Sequence, residues 1–363
     1  MYIKSIDLEN YRNYDHIHID LEKGVNIFYG ENAVGKTNIL ESVYLCSTTK
    51  SHRGSKDKDI IKFNNSEAHI RLLFDKNEID YQRDMHLRND KPKGIAVNGV
   101  KLKKAAELLG IMNIILFSPE DLSIIKNGPS DRRNFVDTEL CQLDKVYLYN
   151  LTNYNKIINQ RNNLLKDIAF HPELVDTLDI WDTQLISLGS KIIDRRSRFI
   201  DELNNIIFDI HKNLTGNKEE LIIKYAPNVT IEGFKDKLNN NREKDIKYKL
   251  TSTGPHRDDF DFFINGTDAK KFGSQGQQRT VALSLKLSEI NLIKNMTGNI
   301  PILLLDDVLS ELDSNRQNYL LNSINDIQTV ITCTGLDEFI DSRIKMDTIY
   351  RVKDNRLYKG ENQ

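Results

Sequence analysis

The chain has 363 residues, 39% of them hydrophobic and 29% charged, so it can bury a large core and form two lobes. Its formal charge of -2, from 51 Lys and Arg against 53 Asp and Glu, excludes a uniformly basic nucleic-acid-binding surface but allows a local basic patch. No apolar run approaches the ~18 residues of a membrane-spanning helix, and no export signal is visible, so we expect no membrane contact and a cytoplasmic location.

The cysteines and histidines indicate neither a disulfide framework nor a transition-metal centre. Cys46, Cys141 and Cys333 lie far apart and form no CxxC pair, so we predict reduced, mostly buried thiols. The eight histidines include no HExxH sequence, which disfavours a transition metal held by protein ligands.

The first third of the chain predicts strands, turns and short helices. Its apolar residues fall in short runs, and Val97-Asn98-Gly99-Val100 has the form of a tight hairpin corner. This pattern returns after Thr251. The fold class predicted for both parts is α/β.

Between these parts, apolar residues recur at heptad spacing, with Arg161 interrupting one series and His171-Pro172 breaking the pattern. The pattern predicts two long antiparallel helices, the second over 173–214, then a stop at Gly216 and a strand at 221–223. The heptad positions are Leu151, Ile158 and Leu165; Tyr147, Tyr154 and Ile168; and Leu178, Leu185, Ile192, Phe199 and Ile206.

These changes of pattern predict the domain organisation. Residues 1–137 and 250–363 should fold together as one α/β domain. Residues 138–249 should be an inserted, mainly helical lobe with a short antiparallel coiled-coil-like arm.

A glycine-rich loop lies between an apolar run and a helix-like segment. It reads Gly30-Glu31-Asn32-Ala33-Val34-Gly35-Lys36-Thr37, which matches GxxxxGKT. Such a loop turns backbone N–H groups and a helix N-terminus toward phosphates, while Lys36 supplies a cation and Thr37 a hydroxyl for Mg²⁺. We predict that all eight residues bind a nucleotide. The alternative is a chance glycine-rich turn before a helix.

A later apolar run, 301–305, ends in the two carboxylates Asp306 and Asp307, which is the arrangement of a Walker B element. We predict that Asp306 joins Thr37 as a Mg²⁺ ligand and that Asp307, with Lys36, is catalytic because it polarises the attacking water. The alternative is a helix N-cap after a core strand. The apolar segment 329–333 predicts a further parallel strand.

A third polar segment, Ser274-Gln275-Gly276-Gln277, opens a helix with apolar periodicity. Its form indicates a helix N-terminus facing an anion, although an ordinary glycine-rich helix cap has the same composition. We call Ser274–Gln277 the signature segment.

Taken together, these segments resemble the ABC-type ATPase heads of the SMC class over essentially the whole chain. Further segments that carry the resemblance are Leu8–Tyr14, Lys50–Arg53, Phe117–Leu122, Gly128–Arg133, Thr253–Asp259 and Leu304–Asp313. The resemblance implies an ABC-type P-loop head with an inserted helical lobe, and ATP and Mg²⁺ as cofactors.

The resemblance also assigns roles to individual residues. Ser274, Gly276 and Gln277 would complete the ATP site of the opposite subunit, and residues 310–313 would form the D-loop beside it. Arg12 would contact the nucleotide, or would only pair with Asp7 or Glu9.

The chain departs from the general ABC pattern in several places. Gln275 replaces a common glycine, and Asp307 replaces a common glutamate, so its shorter reach suggests slow hydrolysis. Thr332 and Thr334 stand where a switch histidine is usual, and no Q-loop glutamine can be assigned.

The function implied by the resemblance is recombinational DNA repair. Such a protein would be a weak, DNA-stimulated ATPase that dimerises on ATP and binds single-stranded and gapped DNA junctions. It would help to load recombinase at gapped replication sites with mediator proteins of the RecO and RecR kind, and would support replication and the SOS response. The alternatives are a chromosome-organising or other ABC-type interaction ATPase, and a small-molecule P-loop kinase.

DNA contact should be local because the net charge is slightly negative. Two basic clusters are candidates, although such a cluster is more often only a solvated face. They are Lys50, Arg53, Lys56 and Lys58, and the pair Arg132 and Arg133.

Overall fold

The computed structural model describes residues 1–336 and 345–360, which divide into two compact units. The first unit comprises 1–121 and 285–363, and the second comprises 122–284. We call them the head unit and the arm unit. The last three residues of the predicted head, 361–363, lie outside the described residues.

The strands of the described residues form three sheets. They are β1 (Tyr2–Tyr11), β2 (Tyr14–Asp20), β3 (Val25–Tyr29), β4 (Glu67–Lys76), β5 (Ile79–Arg88), β6 (Gly94–Val97), β7 (Val100–Lys101), β8 (Ile114–Phe117), β9 (Leu221–Ala226), β10 (Asp259–Ile264), β11 (Thr267–Asp268), β12 (Ile302–Asp306), β13 (Thr329–Cys333), β14 (Met346–Lys353) and β15 (Arg356–Lys359).

Helices connect and cover these sheets. They are α1 (Lys36–Thr48), α2 (Asp57–Ile60), α3 (Leu122–Lys126), α4 (Pro129–Leu143), α5 (Lys145–Asp167), α6 (Leu178–Leu214), α7 (Phe234–Asn240), α8 (Arg242–Tyr248), α9 (Ala269–Phe272), α10 (Gln275–Thr297) and α11 (Ser314–Ser323).

The head unit contains an antiparallel sheet in the order β2-β1-β4-β5-β6-β7. Its strands alternate buried and exposed residues because one face packs on the core. The predicted hairpin corner is confirmed, since Val97 pairs with Val100 and both Asn98 and Gly99 have positive φ.

The second sheet of the head unit has the order β15-β14-β3-β13-β12-β8. Strands β14, β3, β13, β12 and β8 are parallel neighbours, which confirms the predicted parallel continuation at 329–333. Strands β12 and β13 are buried at every position, as expected for a sheet covered on both faces. Their carboxyl ends lie at one edge, where the glycine-rich loop also follows β3.

The arm unit is built on the antiparallel pair α5 and α6, so the two predicted helices are confirmed. Their direction follows from two contacts, Arg161 with Asp182 and Asp144 with Arg195. Helix α6 begins at Leu178 rather than at residue 173, because 172–177 form a 3₁₀ helix. Its 37 residues are about 55 Å long at ~1.5 Å per residue.

The interruption at Arg161 is a buried ion cluster. Its Nε donates to Asp182 over 2.6 Å, and its Nη1 donates to Asp245 over 2.8 Å and to Thr251 Oγ1 over 3.0 Å. Arg196 is also buried and donates to the carboxylates of Asp137 and Asp258. Both arginines join segments that are distant in sequence.

The third sheet, β11-β10-β9, lies in the arm unit. Because β9 pairs with β10 over the whole length of both strands, residues 250–284 are placed in the arm unit, as are residues 122–137. These boundaries differ from those expected at 137/138 and 249/250. That residues 1–137 and 250–363 act together as an ATPase head stays a prediction.

The three cysteines are free and buried, as predicted. Within residues 1–336 and 345–360, no helix combines the length and apolar character needed to cross a membrane.

Candidate nucleotide site and signature segment

The glycine-rich loop connects buried strand β3 to helix α1, as its sequence predicts. Residues Glu31 to Ala33 are exposed, whereas Lys36 is buried at the first turn of α1. Ala33 and Gly35 both have positive φ, 64° and 106°, so the backbone curls before it enters the helix. This is the conformation that turns successive N–H groups toward an anion.

Gly35 must be a glycine for steric as well as conformational reasons. A Cβ there would lie 2.5 Å from Asn13 Nδ2 and 2.8 Å from Tyr14 Oη. Those two side chains support the loop, because Asn13 Nδ2 donates to Val34 O over 3.2 Å and Tyr14 Oη donates to Gly35 O over 3.1 Å. The turn between β1 and β2 therefore helps to set the shape of the loop.

The ammonium group of Lys36 is held by the loop itself. Nζ donates to the carbonyl oxygens of Gly30 and Glu31, each over 2.7 Å. Burial lowers the pKa of Lys36, and the nearby carboxylates Asp307 and Asp306 oppose this shift. The cation thus lies inside the loop, with only neutral oxygens as hydrogen-bond partners.

The predicted metal ligands lie together. Thr37 Oγ1 donates to Asp306 Oδ1 over 2.8 Å, and Thr332 Oγ1 donates to the same oxygen over 2.7 Å. A hydroxyl beside a carboxylate is a pair of hard oxygen donors that fits Mg²⁺, which takes few protein ligands and keeps waters and phosphates. No group of three or more His, Cys, Asp or Glu residues able to hold a metal ion occurs among the described residues.

Asp307 follows β12 in an unusual backbone conformation, with φ of 53°. Its N–H donates to Thr332 O over 3.1 Å, and its own carbonyl accepts from Ser310 Oγ over 2.9 Å. Burial raises the pKa of Asp307, Lys36 opposes the shift, and Asp306 adds to it. Left-handed backbone at a non-glycine residue is costly and is concentrated at functional sites.

Arg12 contacts helix α1 through Glu41. Its Nε and Nη2 donate to the two Glu41 carboxylate oxygens over 2.8 and 2.6 Å, and Nη2 also donates to Ser55 Oγ. The predicted pairing with Asp7 or Glu9 is therefore wrong, because the turn after β1 directs Arg12 toward α1. Contact of Arg12 with a nucleotide stays a prediction.

Two polar residues near Asp306 were not predicted as site residues. His52 is half-buried with Nδ1 unpartnered among the described residues, and burial lowers its pKa. Glu120 follows β8, the parallel neighbour of β12, and burial raises its pKa while Arg53 opposes the shift. Both residues lie in segments that carry the resemblance, and the pairing of β8 with β12 places Glu120 at this edge.

The signature segment begins α10 in the arm unit. Ser274 Oγ accepts from Gln277 N over 3.2 Å, and Gln277 Oε1 accepts from Ser274 N over 2.8 Å. This reciprocal pair is a capping box. Residues 274 to 276 are exposed, and the preceding Phe272 is 73% exposed, so these groups can meet another molecule.

The two basic clusters differ in exposure. Lys50, Arg53, Lys56 and Lys58 are all exposed. Arg132 is 3% exposed and donates to both carboxylate oxygens of Asp259, so it is structural and the prediction that it contacts DNA is wrong. Arg133 is half-buried and donates to Asp258 O over 2.7 Å.

Comparison with known proteins assigns the family. The model of the RecF/RecN/SMC N terminal domain matches residues 2–357. A DNA replication and repair protein RecF of Lachnospira eligens is 58% identical over 359 residues, which cover 98% of this chain and 99% of that protein. The chain belongs to the RecF family. A RecF of Lachnoclostridium phytofermentans is 56% identical over 99% of this chain and 100% of that protein.

Solved structures agree with this assignment. A RecF-ATP structure, described as a recombination mediator protein in the RecFOR pathway, is 37% identical with a TM-score of 0.93 and covers 99% of this chain and 98% of that chain. An Smc head domain from Pyrococcus furiosus has a TM-score of 0.58 at 15% identity, covering 99% and 96%. The predicted α/β fold of an ABC-type ATPase head with an inserted helical lobe is thus confirmed.

Proposed function

We propose that this member of the RecF family binds and hydrolyses ATP at the edge formed by β3, β12 and β13. The observation that carries the proposal is the hydrogen bond from Thr37 to Asp306, which joins the first turn of α1 to the end of β12. This contact brings the two nucleotide motifs together. The ATP-bound structure of a 37% identical RecF supports the choice of nucleotide.

In this proposal the loop residues 30–37 enclose the phosphates, and Lys36 exchanges its carbonyl partners for phosphate oxygens. Thr37 and Asp306 would hold Mg²⁺, which when bound supplies positive charge beside the phosphates. Asp307 accepts a hydrogen bond from the attacking water. Its raised pKa is consistent with a base, and its short side chain with slow turnover.

We further propose that ATP joins two copies of the chain through the signature segment. The support is that Ser274 to Gly276 are exposed at the start of a 23-residue helix. A serine hydroxyl and a helix N-terminus can together bind the γ-phosphate held by a second copy, so ADP should not support the dimer.

The biological role we propose is recombinational DNA repair. The ATP-bound dimer, which we call the clamp, would bind single-stranded and gapped DNA. Its weak ATPase would be stimulated by DNA, and it would help partners of the RecO and RecR kind to load recombinase at replication gaps. It would thereby support replication and the SOS response, in the cytoplasm. The support is the naming of the relatives as replication and repair proteins and of a solved relative as a mediator in the RecFOR pathway.

The decisive experiment is sedimentation of wild type and Ser274→Arg with ATP and Mg²⁺, with and without gapped DNA. We expect wild type to dimerise on ATP but not on ADP, and the variant to bind ATP as a monomer without dimerising. Thr267→Arg is the matched control, because Thr267 is an exposed residue of the same unit. A full-size dimer of Ser274→Arg would overturn the proposal that the signature segment joins the two copies. Assembly without ATP would favour the alternative of another ABC-type interaction ATPase.

A further inference from the structure

The capping box leaves half of the Gln277 side chain for another contact. Its Oε1 is used by Ser274 N, and its Nε2 donates to Glu219 Oε1 over 2.8 Å. Glu219 lies in the loop between α6 and β9, far from the signature segment in sequence. The orientation of the Gln277 amide is therefore fixed at both ends, once by the helix start and once by a carboxylate.

The other oxygen of Glu219 faces the end of the long arm helix. His211 is fully buried in the last turn of α6, and its Nε2 lies 3.4 Å from Glu219 Oε2. His211 Nδ1 lies 2.8 Å from Ser284 Oγ, whose hydroxyl donates to Thr280 O.

These contacts connect α10 to α6 at two points, since Gln277 and Ser284 lie two turns apart on α10. The side chain of Glu219 is only 20% exposed, so its contacts with Gln277 and His211 are largely shielded from water. A shielded hydrogen bond to a charged acceptor is stronger than a neutral, solvated one.

We propose that Glu219 is a positioning residue of the signature segment, which it orients through Gln277 and connects to the arm through His211. The proposal rests on the proposed ATP-dependent dimer, because that dimer requires the signature segment in one orientation. Glu219 would touch neither the nucleotide nor the second copy, so its effect would pass entirely through Gln277.

The test compares Glu219→Ala with Glu219→Gln and Glu220→Ala. The alanine variant should raise the ATP-dependent dimer dissociation constant about tenfold, the effect of one lost hydrogen bond to a charged group. ATP affinity of the monomer should be unchanged, because the glycine-rich loop belongs to the head unit. Glu219→Gln keeps an acceptor for Gln277 Nε2 and should restore dimerisation. Glu220 is exposed, so its alanine variant controls for the change of charge.

A second measurement does not depend on dimerisation. Amide hydrogen exchange over 274–280 of the nucleotide-free protein should quicken roughly tenfold in Glu219→Ala and stay normal in Glu219→Gln. Gln277→Ala combined with Glu219→Ala should be no worse than Gln277→Ala alone. Unchanged exchange in Glu219→Ala, or fully additive effects in the double variant, would overturn the positioning role. Failure of wild type to dimerise on ATP would instead overturn the proposed function.

Discussion

The candidate nucleotide site and the arm both contain buried cations, but the two regions satisfy them differently. Lys36 donates to two backbone carbonyls, and no carboxylate oxygen of the described residues lies within ion-pair distance of its Nζ. Arg161 and Arg196 each contact two carboxylates. Neutral carbonyls can be exchanged for phosphate at little cost, whereas a buried carboxylate left alone is strongly unfavourable. The arm cations therefore hold the fold, whereas Lys36 can exchange its carbonyl partners without leaving a carboxylate unpaired.

The largest effect should come from removing an arm cation. Arg161→Leu leaves Asp245 buried without an ion-pair partner and Asp182 with Arg242 alone, so the free energy of unfolding should fall by ~3–5 kcal/mol. Urea denaturation followed by circular dichroism measures it. Arg198→Leu is the control, because Arg198 forms an exposed pair with Asp194 worth only about 0.3–0.5 kcal/mol. Equal losses in the two variants would show that the Arg161 cluster is no more than a surface pair.

Lys36→Met should show the opposite behaviour. The apolar stem is kept and no buried carboxylate loses an ion-pair partner, so we expect nearly wild-type stability. Productive ATP binding should nevertheless be lost, because the cation opposite the outer phosphates is absent. Lys36→Arg should bind ATP but hydrolyse it poorly, since a planar guanidinium does not replace a compact ammonium. Calorimetric titration with ATP measures the affinity of both variants, and phosphate release measures hydrolysis by Lys36→Arg. Wild-type ATP affinity in Lys36→Met would contradict the assignment of Lys36 to the nucleotide site.

The difference between the regions also explains what the sequence could predict. The glycine-rich loop and the hairpin at Val97 are local, so neighbouring residue types determine both. The heptads predicted α5 and α6 but showed Arg161 only as a break in the pattern. Its partners Asp182 and Asp245 come from other segments, and only the packed structure brings them together. For the same reason Arg12 could not be matched to Glu41, nor β9 to β10, whose pairing shifts the unit boundary.

Within the nucleotide site, Asp307→Asn should separate binding from chemistry. The amide keeps the shape and the hydrogen bonds of the left-handed turn but cannot accept a proton. We expect unchanged ATP affinity, a hydrolysis rate lowered by about 10²-fold or more, and a persistent ATP-bound dimer. Phosphate release under single-turnover conditions measures the rate. Unchanged turnover would assign Asp307 a purely structural role.

A smaller effect is expected at the exposed basic cluster. Neutralising Arg53 and Lys56 together should weaken DNA binding and reduce the slope of log affinity against log salt by about 1.4 to 1.8, for two lost phosphate contacts. Fluorescence anisotropy with gapped DNA at several salt concentrations measures this slope. Lys23 and Lys345 are exposed lysines elsewhere in the head unit, and neutralising them is the matched control. An identical slope in the Arg53/Lys56 variant would reject this cluster as the DNA contact.

The ion pair of Arg12 and Glu41 is intermediate in burial between the Arg161 cluster and an exposed surface pair. Glu41 is fully buried, while Arg12 reaches the surface. Burial alone would raise the pKa of Glu41, but hydrogen bonds from Arg12 and Ser51 outweigh it and lower the pKa below the usual 4.5. A carboxyl whose pKa is lower in the folded state stabilises the fold above its unfolded pKa, and this stability is lost as pH falls through the folded value. Glu41→Gln should therefore be less stable than wild type by about 1 kcal/mol at pH 7, and the gap should close below pH 4.5. Urea denaturation across this pH range measures the gap. A gap that is constant with pH would mean that Glu41 stabilises the fold by packing alone. Arg12 would then not be held by the ion pair, and it would be as available for a ligand as Lys36.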